Sequence, residues 1–212
     1  MANNFIDDDL RTMGKFKDMI MNILFKSEDV RDLVMPQLDN DNFDLSDNFF
    51  GGKNLEYYDA INNENKNVDL LGHCFDVPFI DERINDTRAL ITLESYIKRI
   101  EGSHVKEVEL DIFVYSHKNI IHMDSKEKGK YIKKGYAGNR VDMLCAAVVD
   151  AIKEHSKDFG IGGLKLKPYD PIYPYEPKNE FYGKKISFLC PDFFIKRAKN
   201  TRDFSHEMNW LE

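Results

Sequence analysis

Apolar residues recur along this chain with two different periods, and each period predicts an element. Between Gly138 and Phe159 the sequence reads GNRVDMLCAAVVDAIKEHSKDF, with Val141, Leu144, Cys145, Val148, Val149 and Ile152 at i, i+3, i+4, i+7, i+8 and i+11. One stripe on a 3.6-residue period predicts an amphipathic helix. Asn139 is placed to cap its start and Gly160 to stop it, while Arg140, Asp142, Asp150, Lys153 and Glu154 fall outside the stripe. Upstream, Glu107 to Tyr115 alternates strictly. Val108, Leu110, Ile112 and Val114 point one way, and Glu107, Glu109, Asp111, Phe113 and Tyr115 the other. A period of two predicts a strand. Its carboxylates predict a face that meets water, and its aromatic end a surface offered to a protein neighbour.

The remaining elements follow in order. Asp8 to Phe25 reads as a helix with Met13, Phe16, Ile20, Ile23 and Leu24 on one face. Ser27 caps a second, shorter helix that Pro36 ends. Residues 37–68 are rich in Asn and Asp and predict a long loop or arm, studded with Phe43, Phe49, Phe50, Tyr57 and Tyr58. A short strand is expected within 70–80, another over Arg88–Ile97, then the Glu107–Tyr115 strand. Residues 116–136 predict a basic loop, with a further short strand at 119–123 allowed. After the long helix, a strand near 163–167 leads into the run KPYDPIYPYEP, whose four prolines favour an extended loop. Lys184–Cys190 reads as the final core strand, limited by Pro191. The expected fold is α+β: a mainly antiparallel sheet packed against an N-terminal helix and one long amphipathic helix. The expected organisation is a single domain over 1–196, with an arm at 37–68, and a tail over 197–212.

Composition narrows the function classes. The 212 residues are 42% hydrophobic, so a sizeable core is affordable, and the formal net charge is -7. An acidic chain is a poor nonspecific DNA binder, although Lys126, Lys128, Lys130, Lys133 and Lys134 form one dense basic stretch. Cys74, Cys145 and Cys190 are far apart and form no CxxC pair, which speaks against a disulfide framework or a structural zinc site. No stretch is long and apolar enough to predict a membrane span.

Candidate chemistry is sparse. His117, His122 and Asp124 lack the HExxH spacing, and a metal site needs three or four converging ligands. FGIGG at 159–163 follows a helix, whereas a dinucleotide turn precedes one. The acidic pairs Asp39/Asp41 and Asp76/Asp81 do not match a calcium loop. Glu107, Glu109 and Asp111 share one side of a strand, which a solvated face explains as well as a two-metal nuclease does. These readings predict no enzyme, no cofactor and no metal. The tyrosines of the proline-rich run instead suggest rigid contact area for assembly.

Four segments carry a family resemblance: IFVYSHKNII, GNRVDMLCAAVVDAIK, DFGIGGLKLKPYDP and FYGKKISFLCPDF. Across roughly residues 88–195 the chain resembles the small neck and tail-completion proteins of tailed bacteriophages, and its order of elements is similar to that of tail terminators. The resemblance implies a structural virion protein, assembled in the host cytoplasm. It implies a ring, typically six-fold, that caps the tail tube and joins it to the head. The implied partners are further copies of itself, the tail tube protein, a neck or head-completion protein, the tail sheath, and DNA in transit without sequence-specific contact. The functional residues would then be interface residues: Phe49, Phe50, Tyr57, Tyr58, Phe113, Tyr115, Tyr169, Tyr173, Tyr175, Phe204 and Trp210. The competing classes are another head–tail connector or tail accessory protein, and a soluble nucleic-acid-processing enzyme.

Overall fold

The computed structural model of the chain describes residues 4–35, 49–50, 54–59, 64–69, 72–76, 87–101, 104–155, 163–175, 180–191 and 193. Its elements run α1 (Asn4–Lys26), α2 (Glu28–Val34), β1 (Asn54–Asp59), β2 (Glu64–Asp69), β3 (Cys74–Phe75), β4 (Ala89–Glu101), β5 (His104–His117), α3 (Ser125–Ile132), α4 (Arg140–His155), β6 (Lys165–Leu166), β7 (Ile172–Tyr175) and β8 (Phe181–Cys190). This is an α+β fold, as the alternation of periods predicts.

The main sheet has the order β3-β4-β5-β8, and β8 is bordered on its far side by β6 and β7 in succession. Only the short β3–β4 pairing is parallel; the others are antiparallel. β5 is central, pairing with β4 along one side and with β8 along the other. Its expected alternation holds in full: Val108, Leu110, Ile112 and Val114 are buried in the large core shared with the helices. Ile186, Phe188 and Cys190 of β8 and Ile91 and Leu93 of β4 extend that surface.

The α4 stripe lies against this sheet, with Val141, Leu144, Val148 and Ile152 essentially inaccessible. Burying a side chain of that size contributes about 1.5–3 kcal/mol. The burial is wider than one stripe, because Met143, Ala147 and Ala151 are also buried. α1 and α2 pack over the second side of α4, so the helix is sandwiched instead of lying at the surface. Asn139 caps α4 as expected, and the cap is reciprocal. The Asp142 N–H donates to Asn139 Oδ1 at 3.0 Å, and the Asn139 N–H donates to Asp142 Oδ2 at 2.9 Å. Ser27 accepts from the Val30 N–H at the start of α2, again as expected. Gly160, the expected stop of α4, lies outside the described residues.

Several expectations are corrected. Residues 37–68 are not loop throughout: β1 and β2 form an antiparallel hairpin with Asn54 opposite Asp69 and Asp59 opposite Glu64. Residues 116–136 are not a loop throughout either, since α3 occupies their middle. Asp124 caps it, accepting from the Lys126 and Glu127 N–H groups at 2.8 Å each. Residues 119–122 form turns and bends instead of a strand. The proline-rich run contributes the strand β7 with Pro174 inside it, at the sheet's edge where proline is tolerated. Arg140 is buried even though it falls outside the apolar stripe.

That arginine ties four segments together. Its guanidinium holds both carboxylate oxygens of Glu127, at 2.8 and 3.0 Å. It also donates to the carbonyl of Ile120 at 2.9 Å and to that of Leu33 at 3.3 Å. α2, the 118–123 turn, α3 and α4 therefore share one buried cation, whose planar fork suits a bidentate carboxylate.

Candidate functional site

The helices line the main core on one face of the sheet; the opposite face carries the candidate site. Register gives its layout. Thr92, Phe113, Lys185 and Tyr173 stand in one row across β4, β5, β8 and β7. Glu94, Asp111 and Ser187 stand in the next row, followed by Tyr96, Glu109 and Leu189. One end of the face is thus aromatic and the other ionic.

At the ionic end, Glu109 and Asp111 were expected to face water. They are buried instead, beneath lysines from three other segments. Glu109 meets Lys167 at 2.7 Å and Lys98 at 3.1 Å. Asp111 meets Lys185 at 2.8 Å and accepts from the Ser187 hydroxyl at 2.6 Å. A buried carboxylate is tolerable only with such partners. Burial alone would raise the pKa of Glu109, but the bonds from Lys167 and Lys98 outweigh it and hold the carboxyl below its usual range. Lys167 is raised in turn, chiefly by its bond to Glu109.

At the aromatic end, Leu90, Phe113, Tyr115 and Phe181 form a second buried cluster. The Tyr115 ring lies across Gly183, where a Cβ would collide with that ring and with the Val114 carbonyl. Glycine is required there because a neighbouring ring occupies the side-chain position. Tyr115 and Thr92 hydroxyls are 3.3 Å apart, and burial pushes the phenol up. Tyr175 packs on Phe113 and Tyr115, with centroids 5.0 and 6.0 Å away.

Between these ends a groove of about 600 Å³ is lined by Lys167, Tyr169, Asp170, Tyr173, Lys185 and Ser187. Lys185 lies 4.8 Å above the Tyr173 ring, a cation–π arrangement formed within the chain. Asp170 sits in the left-handed region at φ 46°, which Asp tolerates better than most residues. Tyr169, beside it, is 81% exposed.

The outer margin of β7 has a definite polarity. Ser187 donates its N–H to Pro171 O at 2.8 Å, so Pro171 faces β8, and by alternation so do Tyr173 and Tyr175. Ile172 and Pro174 then point their backbone outward. Pro174 has no N–H to offer, so the edge is a poor template for an added strand. What it does offer is side chains: Tyr169, Ile172, Tyr173 and Tyr175 are all exposed.

A second exposed apolar surface lies at the opposite end of the sheet. There the end of β4 is bare: residues 96–101 are all exposed, with Ile100 at 59%, although Val105 and Val108, which face Ile100 and Ile97 on β5, still belong to the core. The pairing slips between Ile97 and Ile100, a bulge that sharpens the local twist. Ile97 and Ile100 are flanked by Lys98, Arg99 and Glu101, and Arg99 pairs with Glu101 at 3.1 Å and Glu107 at 3.8 Å.

The interface residues expected from sequence divide into three groups. Tyr169, Tyr173 and Tyr175 are gathered and exposed along the groove and its edge. Phe49 is fully buried, touching Phe25 and the half-buried Phe50. Phe113 and Tyr115 are buried too, so burial takes Phe49, Phe113 and Tyr115 off the surface. The side chains of Tyr57 and Tyr58 on β1, and all of Phe204 and Trp210, lie outside the description. Ile97 and Ile100 were missed, although their exposure beside charged residues had one signal: the Arg88–Ile97 pattern turns polar before Gly102.

The basic stretch from Lys126 to Lys134 lies on α3 and its following turn, and Lys134 pairs with Asp29 of α2. His117 is buried edge-on against Phe181 at 5.4 Å, and His122 is exposed. Among the described residues no three His, Cys, Asp or Glu side chains gather as metal ligands.

A sheet with one helix-covered face and a tyrosine-edged margin defines a class of surface more than a chemistry. Comparison with known families is more specific. A model of the YomW family matches residues 18–190, and the chain belongs to that family. The family name is phage-derived, of the SPbeta prophage kind, which is consistent with a phage origin. A tRNA 2-selenouridine synthase of Sulfurovum sp. (strain NBC37-1) is 27% identical over 115 residues, covering 50% of this chain and 30% of that protein. The chain thus spans under a third of the length of that curated relative. No solved structure matches.

Proposed function

We propose that the chain is a structural protein of a tailed phage particle, forming a ring in the neck that ends the tail tube and joins it to the head. One observation carries the reading: two different exposed apolar surfaces stand at diagonally opposite corners of one rigid sheet. Tyr169, Tyr173 and Tyr175 mark one corner, and Ile97 and Ile100 mark the other. A ring is built from heterologous contacts, in which one patch of each copy meets a different patch of the next. A sheet with unlike patches at its far corners meets that requirement, and membership of a phage-associated family supports the setting. The reading assigns no catalytic step and no cofactor. Its partners are further copies, six-fold in the simplest case, with the tail tube protein on one side and a neck protein on the other. DNA passes the ring without being read, since an acidic chain repels phosphate and lets the duplex slide.

The test is genetic and compositional. Purified particles should contain the chain, and a phage lacking it should yield filled heads and free tails that do not join. Fully joined, infectious particles without the chain would overturn the proposal.

A further inference from the structure

We infer that the tyrosine-rimmed groove at β6–β7 receives the exposed end of β4 of a second copy, with Ile100 on the Tyr169 and Tyr173 rings and Arg99 on Asp170. This rests on the ring reading and names the contact that would close it.

The groove's own charges decide what it can accept. Lys167 and Lys185 are already held by Glu109 and Asp111. They are therefore poor anchors for an incoming anion. Asp170 is exposed and makes no ion pair among the described residues. The surface left for a visitor is one carboxylate among exposed tyrosine rings. Such a surface favours a cation carried next to an apolar side chain. The groove already shows that preference, since Lys185 lies over Tyr173 from within.

The end of β4 has that composition. Ile97 and Ile100 are exposed apolar residues, and Arg99 stands between them with its side chain 51% accessible. Guanidinium stacks on tyrosine faces and holds carboxylates in a way that an ammonium group does not. Arg99 is shared between Glu101 and Glu107 at the surface, and such exposed pairs are weak enough to exchange partners.

Strand addition is the obvious alternative use of an edge, and Pro174 disfavours it by removing an outward N–H. Side-chain docking remains. The end of β4 cannot reach its own groove. Thr92 shares a row with Tyr173, and Ile100 lies eight residues further along β4, roughly 25 Å at strand rise. Three strand spacings across the sheet add a lateral offset of roughly 14 Å. The occupant must be another molecule, and the same offset makes the contact head-to-tail.

The experiment uses the full chain. Ile100→Cys and Tyr169→Cys variants are purified separately, mixed, and treated with a short bismaleimide; Cys74, Cys145 and Cys190 are buried and serve as the background control. A covalent dimer should form in the mixture and in neither variant alone. In parallel, Arg99→Asp and Asp170→Arg should each weaken self-association by about tenfold, the scale of one interfacial ion pair, and the double variant should recover it. Absence of the mixed dimer, with the chain oligomeric or monomeric at every concentration, would overturn the inference, as would failure of the double variant to recover. Rings seen in particles without this contact would defeat the inference alone. Absence of rings would defeat the proposed function.

Discussion

Removing the Arg140 guanidinium should be among the most damaging single changes in the chain. Arg140→Met keeps the stem's apolar contacts and deletes the fork. The Leu33 and Ile120 carbonyls then lose a donor, and Glu127 loses its bidentate partner. An unsatisfied buried acceptor costs about 1–3 kcal/mol, and breaking a buried pair about 3–5 kcal/mol. Glu127 retains 24% side-chain exposure and can turn to water, which places its share at the low end. The expected loss is about 3 kcal/mol. Urea unfolding would read it as a shifted midpoint at constant slope. Arg140→Lys should recover only part, because an ammonium group cannot span Glu127 and two carbonyls at once. Amide exchange should quicken first across 118–132, where the turn and α3 hang on this cation. A loss under about 1 kcal/mol for Arg140→Met, with unchanged exchange in that segment, would refute the assignment of Arg140 as the tie between α2, α3 and α4.

Val148→Asp should abolish folding, because an unpaired charge in the fully buried sheet–helix layer costs several kcal/mol; an unchanged far-ultraviolet spectrum and melting curve would contradict this. Gly183→Ala should destabilise by about 1–3 kcal/mol, read by calorimetry, because its Cβ meets both the Tyr115 ring and the Val114 carbonyl; an unchanged melting temperature would contradict this. Glu109 has a lowered folded-state pKa, so its stabilisation is present above the unfolded carboxylate range and is lost as pH falls through and below it. Glu109→Gln should therefore flatten the acid limb of a stability–pH profile and, because its bond to Glu109 is what raises Lys167, also the alkaline limb where that lysine titrates, leaving the shape near neutrality unchanged.

The parts of the fold visible from sequence are those where one residue's neighbours are close along the chain. The α4 stripe and the β5 alternation are local patterns, and both elements formed where the spacing placed them. α3 was hidden because SKEKGKYI buries only Tyr131 and contains Gly129; the one available sign was Asp124 three residues ahead of Glu127. β1 and β2 were hidden by Asn and Asp, residues of low strand propensity whose pairing supplies what their side chains do not. Alternation assigned Glu109 and Asp111 to the face away from the helices, but it could not say what covers them. Their lysines come from residues 98, 167 and 185, and only the folded sheet brings them together. The same limit applies to the groove. Its tyrosines were legible as contact surface, while Ile97 and Ile100 acquire meaning only from their position at the far corner of the sheet.

Electron cryo-microscopy of the native particle tests the central claim most directly. The account predicts a closed ring of identical copies at the neck, each meeting the next through unlike patches, with density for the tail tube against one side. A neck map holding a single copy, copies that do not touch, or no copy of this chain at all would contradict it.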